Sequence, residues 1–146
     1  LALISSPGLR PHRVLRRMPR RTLDRLVNGA TQELSAPLMR FLFRQTGFRN
    51  YPDSELRRTL ACAAATDMDA HASRVANLAL PTFLSWCEDD PLVQAAILAE
   101  LSVACPPGPR RGFLSGGHNP QKTHAERLGS ALGPWCLTMS SAAKEG

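Results

Sequence analysis

The sequence predicts an α/β fold built on a small parallel sheet of about three strands, with a helical insertion after the first strand. Apolar runs alternate with segments of helical periodicity from Pro81 to Trp135, in the order strand, helix, strand, helix. The opening residues "LALIS" are a short apolar run closed by "SPG", and the stretch 9–78 between these regions has helical spacing and no convincing strand. Alternation with short connections sets strands side by side and parallel, because each return to the same sheet end needs a crossover helix.

Taken in order, "LALIS" at 1–5 fits a parallel strand buried on both faces and ending in a turn. A helical pattern begins at Pro19, with Leu23, Leu26 and Val27 on one face and a stop at Asn28-Gly29. A second helix runs from about Thr31 to Thr46 with Leu34, Leu38, Phe41 and Leu42 on one face; Pro37 kinks it or marks its true start. A third begins near "YPDSELRR", capped by Asp53 or Ser54, and a further helical piece at 69–78 carries Val75 and Leu78. "PTFLSWC" at 81–87 is a β-rich run, and "PLVQAAILAELSVAC" at 91–105 has Val93, Ile97, Leu98 and Leu101 at helical spacing before "PPGP" breaks it. "RRGFLS" reads as a short strand and "PQKTHAERLGSALGPW" as a helix with Leu128, Leu132 and Trp135 on one side. The organisation is therefore a core strand and turn at 1–8, a helical region at 9–78 that is arginine-rich at its start, an α/β core at 79–137, and a small, polar, flexible tail at 138–146.

A length of 146 residues with 43% hydrophobic content suits one ordinary domain. No apolar run approaches the roughly 20 residues that span a bilayer. The four cysteines, Cys62, Cys87, Cys105 and Cys136, form no Cys-x-x-Cys pair and read as reduced, mostly buried thiols. No secretory signal opens the chain, and "LALISS" resembles a strand already under way, which predicts a fragment or processed chain. The expected compartment is the cytoplasm, or an organelle if a targeting segment precedes Leu1.

The net charge of +6 lies wholly in the first third, where ten arginines at 1–50 face only Asp24 and Glu33. Seven of them fall in "RPHRVLRRMPRRTLDR". Three readings apply: a solvated or ion-paired helix face, an anion-binding surface, or a targeting segment. The absence of interleaved aromatics argues against nucleic acid, and Pro11 and Pro19 leave little room for an amphipathic targeting helix.

The chemistry gathers at the strand ends. "CEDDPL" follows the run 81–87 and "SGGHNP" follows the strand near 112–115. If those strands are parallel neighbours, Glu88, Asp89 or Asp90 meets His118 at one sheet edge, where open α/β sheets bind ligands. A carboxylate on one imidazole nitrogen fixes the tautomer and steadies the cation formed when the other nitrogen takes a proton. The plainer alternative is that Asp90, before Pro91, only caps a helix and His118 is an exposed loop residue.

"PTFLSWCEDDPLV" resembles the strand-plus-acid segment of the α/β-hydrolase superfamily, "SGGHNPQKT" resembles that family's histidine loop, and "LALISSPG" is similar to the strand after which many members insert a cap. The resemblance spans essentially the whole chain, as the C-terminal portion of that fold with its helical cap. It implies that Asp90 is the acid and His118 the general base of a Ser-Asp-His hydrolase acting on an ester or similar small apolar substrate. Cys87 stands where the family usually has glycine.

The family's Gly-x-Ser-x-Gly nucleophile elbow is absent. Ser5 and Ser6 lie at a strand end but read as turn residues. The expected function is thus the acid-and-histidine part of a hydrolase, inactive without its nucleophile, and self-associating through an exposed sheet edge. The alternative is a non-catalytic module whose arginine-rich segment binds an anionic partner or serves targeting. No cofactor is expected. Asp67, Asp69 and His71, and the pair His118 and His124, lack metal-ligand spacing, and no phosphate-binding glycine loop is present.

Overall fold

In the computed structural model, residues 1–11, 16, 21, 32–45 and 50–145 are described. Three strands, β1 (Ala2–Ile4), β2 (Phe83–Cys87) and β3 (Arg110–Phe113), form one parallel sheet in the order β1-β2-β3. Ile4 is level with Ser85 on one side of the central strand, and Cys87 with Phe113 on the other. The carboxyl ends of all three strands therefore open on one edge of the sheet.

β2 reads as a nearly unbroken apolar run because both of its faces are covered. Leu84 and Trp86 point into a cluster with Val93 and with Ile97, Leu98 and Leu101 of helix α4 (Ala95–Ala104). Phe83 points the other way and meets Trp135 of helix α6 (Ala125–Glu145), their rings 5.7 Å apart. Period-2 alternation in the strand thus separates two helical layers. Leu3 of β1 and Val75 complete the first layer.

Among the described residues of 9–78, all regular structure is helical: α1 (Gln32–Gln45), α2 (Asp53–Ala65) and α3 (Met68–Ala76). The helix predicted from Pro19 lies outside the described residues. α1 passes through Pro37, which is therefore not its start. Among its described side chains Ala36 and Met39 are buried, whereas Phe41, expected on the buried face, is 59% exposed. Ala36, Met39 and the half-buried Phe43 fall on one helical face. Neither Asp53 nor Ser54 caps α2; Pro52 holds that position, and the Asp53 carboxylate accepts from Nε and Nη2 of Arg40, tying α1 to α2. α3 is capped by Asp67, whose carboxylate accepts from the amides of Asp69 and Ala70.

The C-terminal layer departs from the predicted single helix. A one-turn α5 (Pro120–Thr123) ends at His124, and α6 then begins. His124 leaves helical geometry because its ring stacks on Phe113 of β3, centroids 4.2 Å apart, while Nε2 donates to the Ser115 carbonyl. The helical path continues through 138–145, the segment read from the sequence as a flexible tail. Met, Ala, Lys and Glu are good helix formers there, and no Gly or Pro interrupts them between Pro134 and Glu145.

Arg110 binds the sheet to the end of α4. Its guanidinium donates to the carbonyls of Ser102, Cys105 and Pro106, which the helix leaves without amide partners, and to the carbonyl of Thr82 ahead of β2. All four cysteines are free; Cys87 and Cys105 are buried, but Cys62 and Cys136 are exposed, contrary to the expectation of mostly buried thiols. Among the described residues, no helix is long and apolar enough to cross a membrane.

Candidate functional site

Parallel pairing of β2 with β3 brings the segments that follow them, 88–94 and 114–119, to the same sheet edge. There His118 Nδ1 lies 2.8 Å from Asp90 Oδ2. The Asp90 side chain is fully buried and that of His118 is 20% exposed. Since an ionised carboxylate only accepts, Nδ1 donates this bond.

Asp90 also accepts, through Oδ1, from the amides of Leu92 (2.8 Å) and Val93 (3.1 Å). Asp90 thus bonds its own turn and the imidazole at once, on different oxygens, but it does not cap the helix that follows, whose N-cap is Gln94. One oxygen turns the chain locally and the other orients the imidazole. Although the bonds from Leu92 and Val93 are the ones an N-cap makes, α4 starts only at Ala95.

Asp89 does not meet His118. Its carboxylate accepts instead from the amides of Gly116 (3.1 Å) and Gly117 (2.9 Å), the two residues before the histidine. Both glycines have positive φ, 136° and 67°. Consecutive amides directed at one anion form a small nest, a geometry that needs this left-handed backbone. Those amides hold the Asp89 carboxyl below its ordinary range, with the Gly117 bond the largest cause and His124 a minor one. A depressed acid stabilises the fold above its ordinary titration range, and that contribution is lost only as pH falls through the lower, native value. In a pH titration followed by NMR, the Gly116 and Gly117 amide shifts should stay flat through the ordinary carboxylate range and move only in stronger acid.

Glu88 faces away from this pair, at 3.4 Å from Trp86 Nε1. The loop is further held by Thr123 Oγ1, which donates to the Gly116 carbonyl, and by the His124 bond to Ser115. Asn119 precedes Pro120 as expected, but its side chain accepts from Gln121 and makes no cap bond.

Hydroxyl and thiol side chains on or beside the strands include Cys87, Ser5 and Ser85. Burial, with the Asp89 and Asp90 carboxylates adding to it, pushes the Cys87 thiol up to about 11, so it stays protonated at neutral pH. Ser5 follows β1 at φ 49°, a conformation rare for a non-glycine residue, and its hydroxyl is buried with no hydrogen-bond partner. It is thus strained but not bonded to His118. Ser85, in the centre of β2, likewise has a buried hydroxyl without a partner.

The remaining sequence candidates are placed elsewhere. Asp67 caps α3, and among the described residues no group of three or more His, Cys, Asp or Glu side chains is placed to hold a metal ion. Of the arginine-rich segment only Arg10, Arg16 and Arg21 are described, and Arg10 forms a two-bond pair with Glu100 on the surface. The fold and site define a parallel α/β unit with an aspartate–histidine pair at its strand ends. No protein-family model matches the chain, and no curated protein matches it by sequence.

Proposed function

We propose that the chain is the acid-and-histidine portion of an α/β-hydrolase-type enzyme, with 9–78 as its cap. Asp90 is the orienting acid, His118 the general base, and the nucleophile comes from outside these 146 residues. The observation that supports this best is the 2.8 Å bond from His118 Nδ1 to a fully buried Asp90 carboxylate, at the carboxyl ends of neighbouring parallel strands. That arrangement steadies the imidazolium formed when Nε2 takes a proton from a hydroxyl nucleophile and later from water. The sheet supports the same reading. β3 ends one side with Arg110 and Arg111, as a protected edge does, whereas β1 ends the other with Ala-Leu-Ile, a composition suited to pairing with a further strand or a second copy.

The substrate expected is an ester or similar small apolar molecule. The 146-residue chain should show no turnover of a short-chain activated ester. A chain extended upstream to a Gly-x-Ser-x-Gly, expected within roughly 20–40 codons of Leu1, should turn it over and lose about 10³–10⁴-fold on His118→Ala. Turnover by the 146-residue chain that His118→Ala leaves unchanged would exclude the assignment.

A further inference from the structure

We infer that Asp89 is a positioning residue for His118: it holds the glycine pair whose conformation sets the ring against Asp90. The inference rests on the proposed role of the Asp90–His118 pair, and it assigns a separate task to the adjacent carboxylate.

Geometry carries it. The histidine loop leaves β3 at Phe113 and must reverse within a few residues to bring His118 back over the end of β2. It does so through two positive-φ residues in succession, and their amides, at 3.1 and 2.9 Å from Asp89, are anchored to the turn that also carries Asp90. The two aspartates are consecutive, so the ring's hydrogen-bond partner and the loop's anchor move as one unit. On its other side the loop is fixed by Thr123 and His124, which bond the carbonyls of Gly116 and Ser115. Donors and acceptors of the same peptide groups are thus held from opposite sides. Without the lower anchor, His118 keeps a partner but loses the constraint that delivers Nδ1 to it.

The test uses the 146-residue chain and reads the His118 ring by ¹⁵N-edited NMR: the tautomer, and the exchange rate of the Nδ1 proton with solvent. Asp89→Ala removes both acceptors; Asp89→Asn keeps one oxygen and removes the charge. In the unaltered chain the Nδ1–H tautomer should dominate and its proton be protected. Asp89→Ala should release the Gly116 and Gly117 amides to exchange and speed Nδ1 proton exchange at least about threefold, with Asp89→Asn between the two. The melting temperature should change little, because the anchor is exposed.

If the glycine amides are released while the His118 tautomer and its proton exchange stay unchanged, Asp89 only ties down a loop and the inference is wrong. The same result follows if Asp89→Ala leaves the glycine amides protected. The reading beneath it fails differently: an unaltered chain without a protected Nδ1 proton, or an Asp90→Asn variant that keeps it, removes the Asp90–His118 pair itself.

Discussion

Replacing Asp90 with alanine should lower the melting temperature by roughly 5–10 °C and abolish the protected His118 Nδ1 proton. Three donors lose their acceptor together: the amides of Leu92 and Val93 and the imidazole Nδ1. Leaving a buried donor unsatisfied costs about 1–3 kcal/mol. The Val93 amide bond is fully buried, whereas the other two are partly wet, so the total falls near 2–3 kcal/mol, worth roughly 2–4 °C per kcal/mol in a domain of this size.

Asp90→Asn separates structure from chemistry. Its single oxygen can keep the turn to Leu92 and Val93, so most of the stability is retained. Its amide then faces His118 Nδ1 with a donor, and the ring must switch tautomer and present Nε2–H where a base is needed. Under the proposed function that error costs about 10⁴-fold in turnover. Paired melting curves and ring spectra of the two variants check this. An Asp90→Ala protein as stable as the parent would show that the bonds drawn to Asp90 do not hold the end of β2.

Much of this arrangement was legible in the sequence because it depends on patterns with a fixed period. β2 announces itself as "FLSWC", since a strand covered on both faces has no polar side. The return through α4 to a parallel β3 follows from Ile97, Leu98 and Leu101 at helical spacing before a proline-glycine break. The meeting of the two strand ends then follows from topology, and with it the approach of His118 to the acidic run.

What the sequence left open has physical reasons too. Which of Glu88, Asp89 and Asp90 reaches the histidine depends on a turn only a few residues long, where one step around the chain reverses a side chain. The resemblance to a known family selected Asp90, but composition alone did not. Asp89 was one of those three candidates, but its actual partners were not legible, because they are backbone amides, which every residue except proline carries; the available signal was the glycine pair. The break at His124 escaped notice because a ring stacked on Phe113 and bonded to Ser115 overrides a continuous helical pattern. The exposure of Phe41 was missed because a face through Phe41 and one through Ala36, Met39 and Phe43 are both plausible helical faces.

Gly116→Ala should be the most damaging single change in the histidine loop, lowering the melting temperature by roughly 10–15 °C. A Cβ at this position would lie 2.6 Å from Thr123 Oγ1, 2.8 Å from His124 Nε2 and 2.9 Å from Cys87 Sγ. Those atoms belong to α5, to the residue that separates α5 from α6, and to β2, so no single side chain can yield and relieve all three contacts. Overpacking of this kind costs about 1–3 kcal/mol, and φ of 136° adds a backbone cost of similar size for any residue with a Cβ. Gly117→Ala is the internal comparison. Its φ of 67° is left-handed, but nothing lies within 4 Å of the added Cβ. It bears the backbone cost alone, about 1–2 kcal/mol, and should melt well above Gly116→Ala. Equal melting temperatures would mean that crowding at Gly116 is relieved without consequence. The two variants should also differ at the site: moving Gly116 pulls on the Asp89 anchor and the Thr123 bond together, so His118 loses its protected Nδ1 proton, whereas Gly117→Ala leaves the Gly116 attachments in place and retains more of that protection.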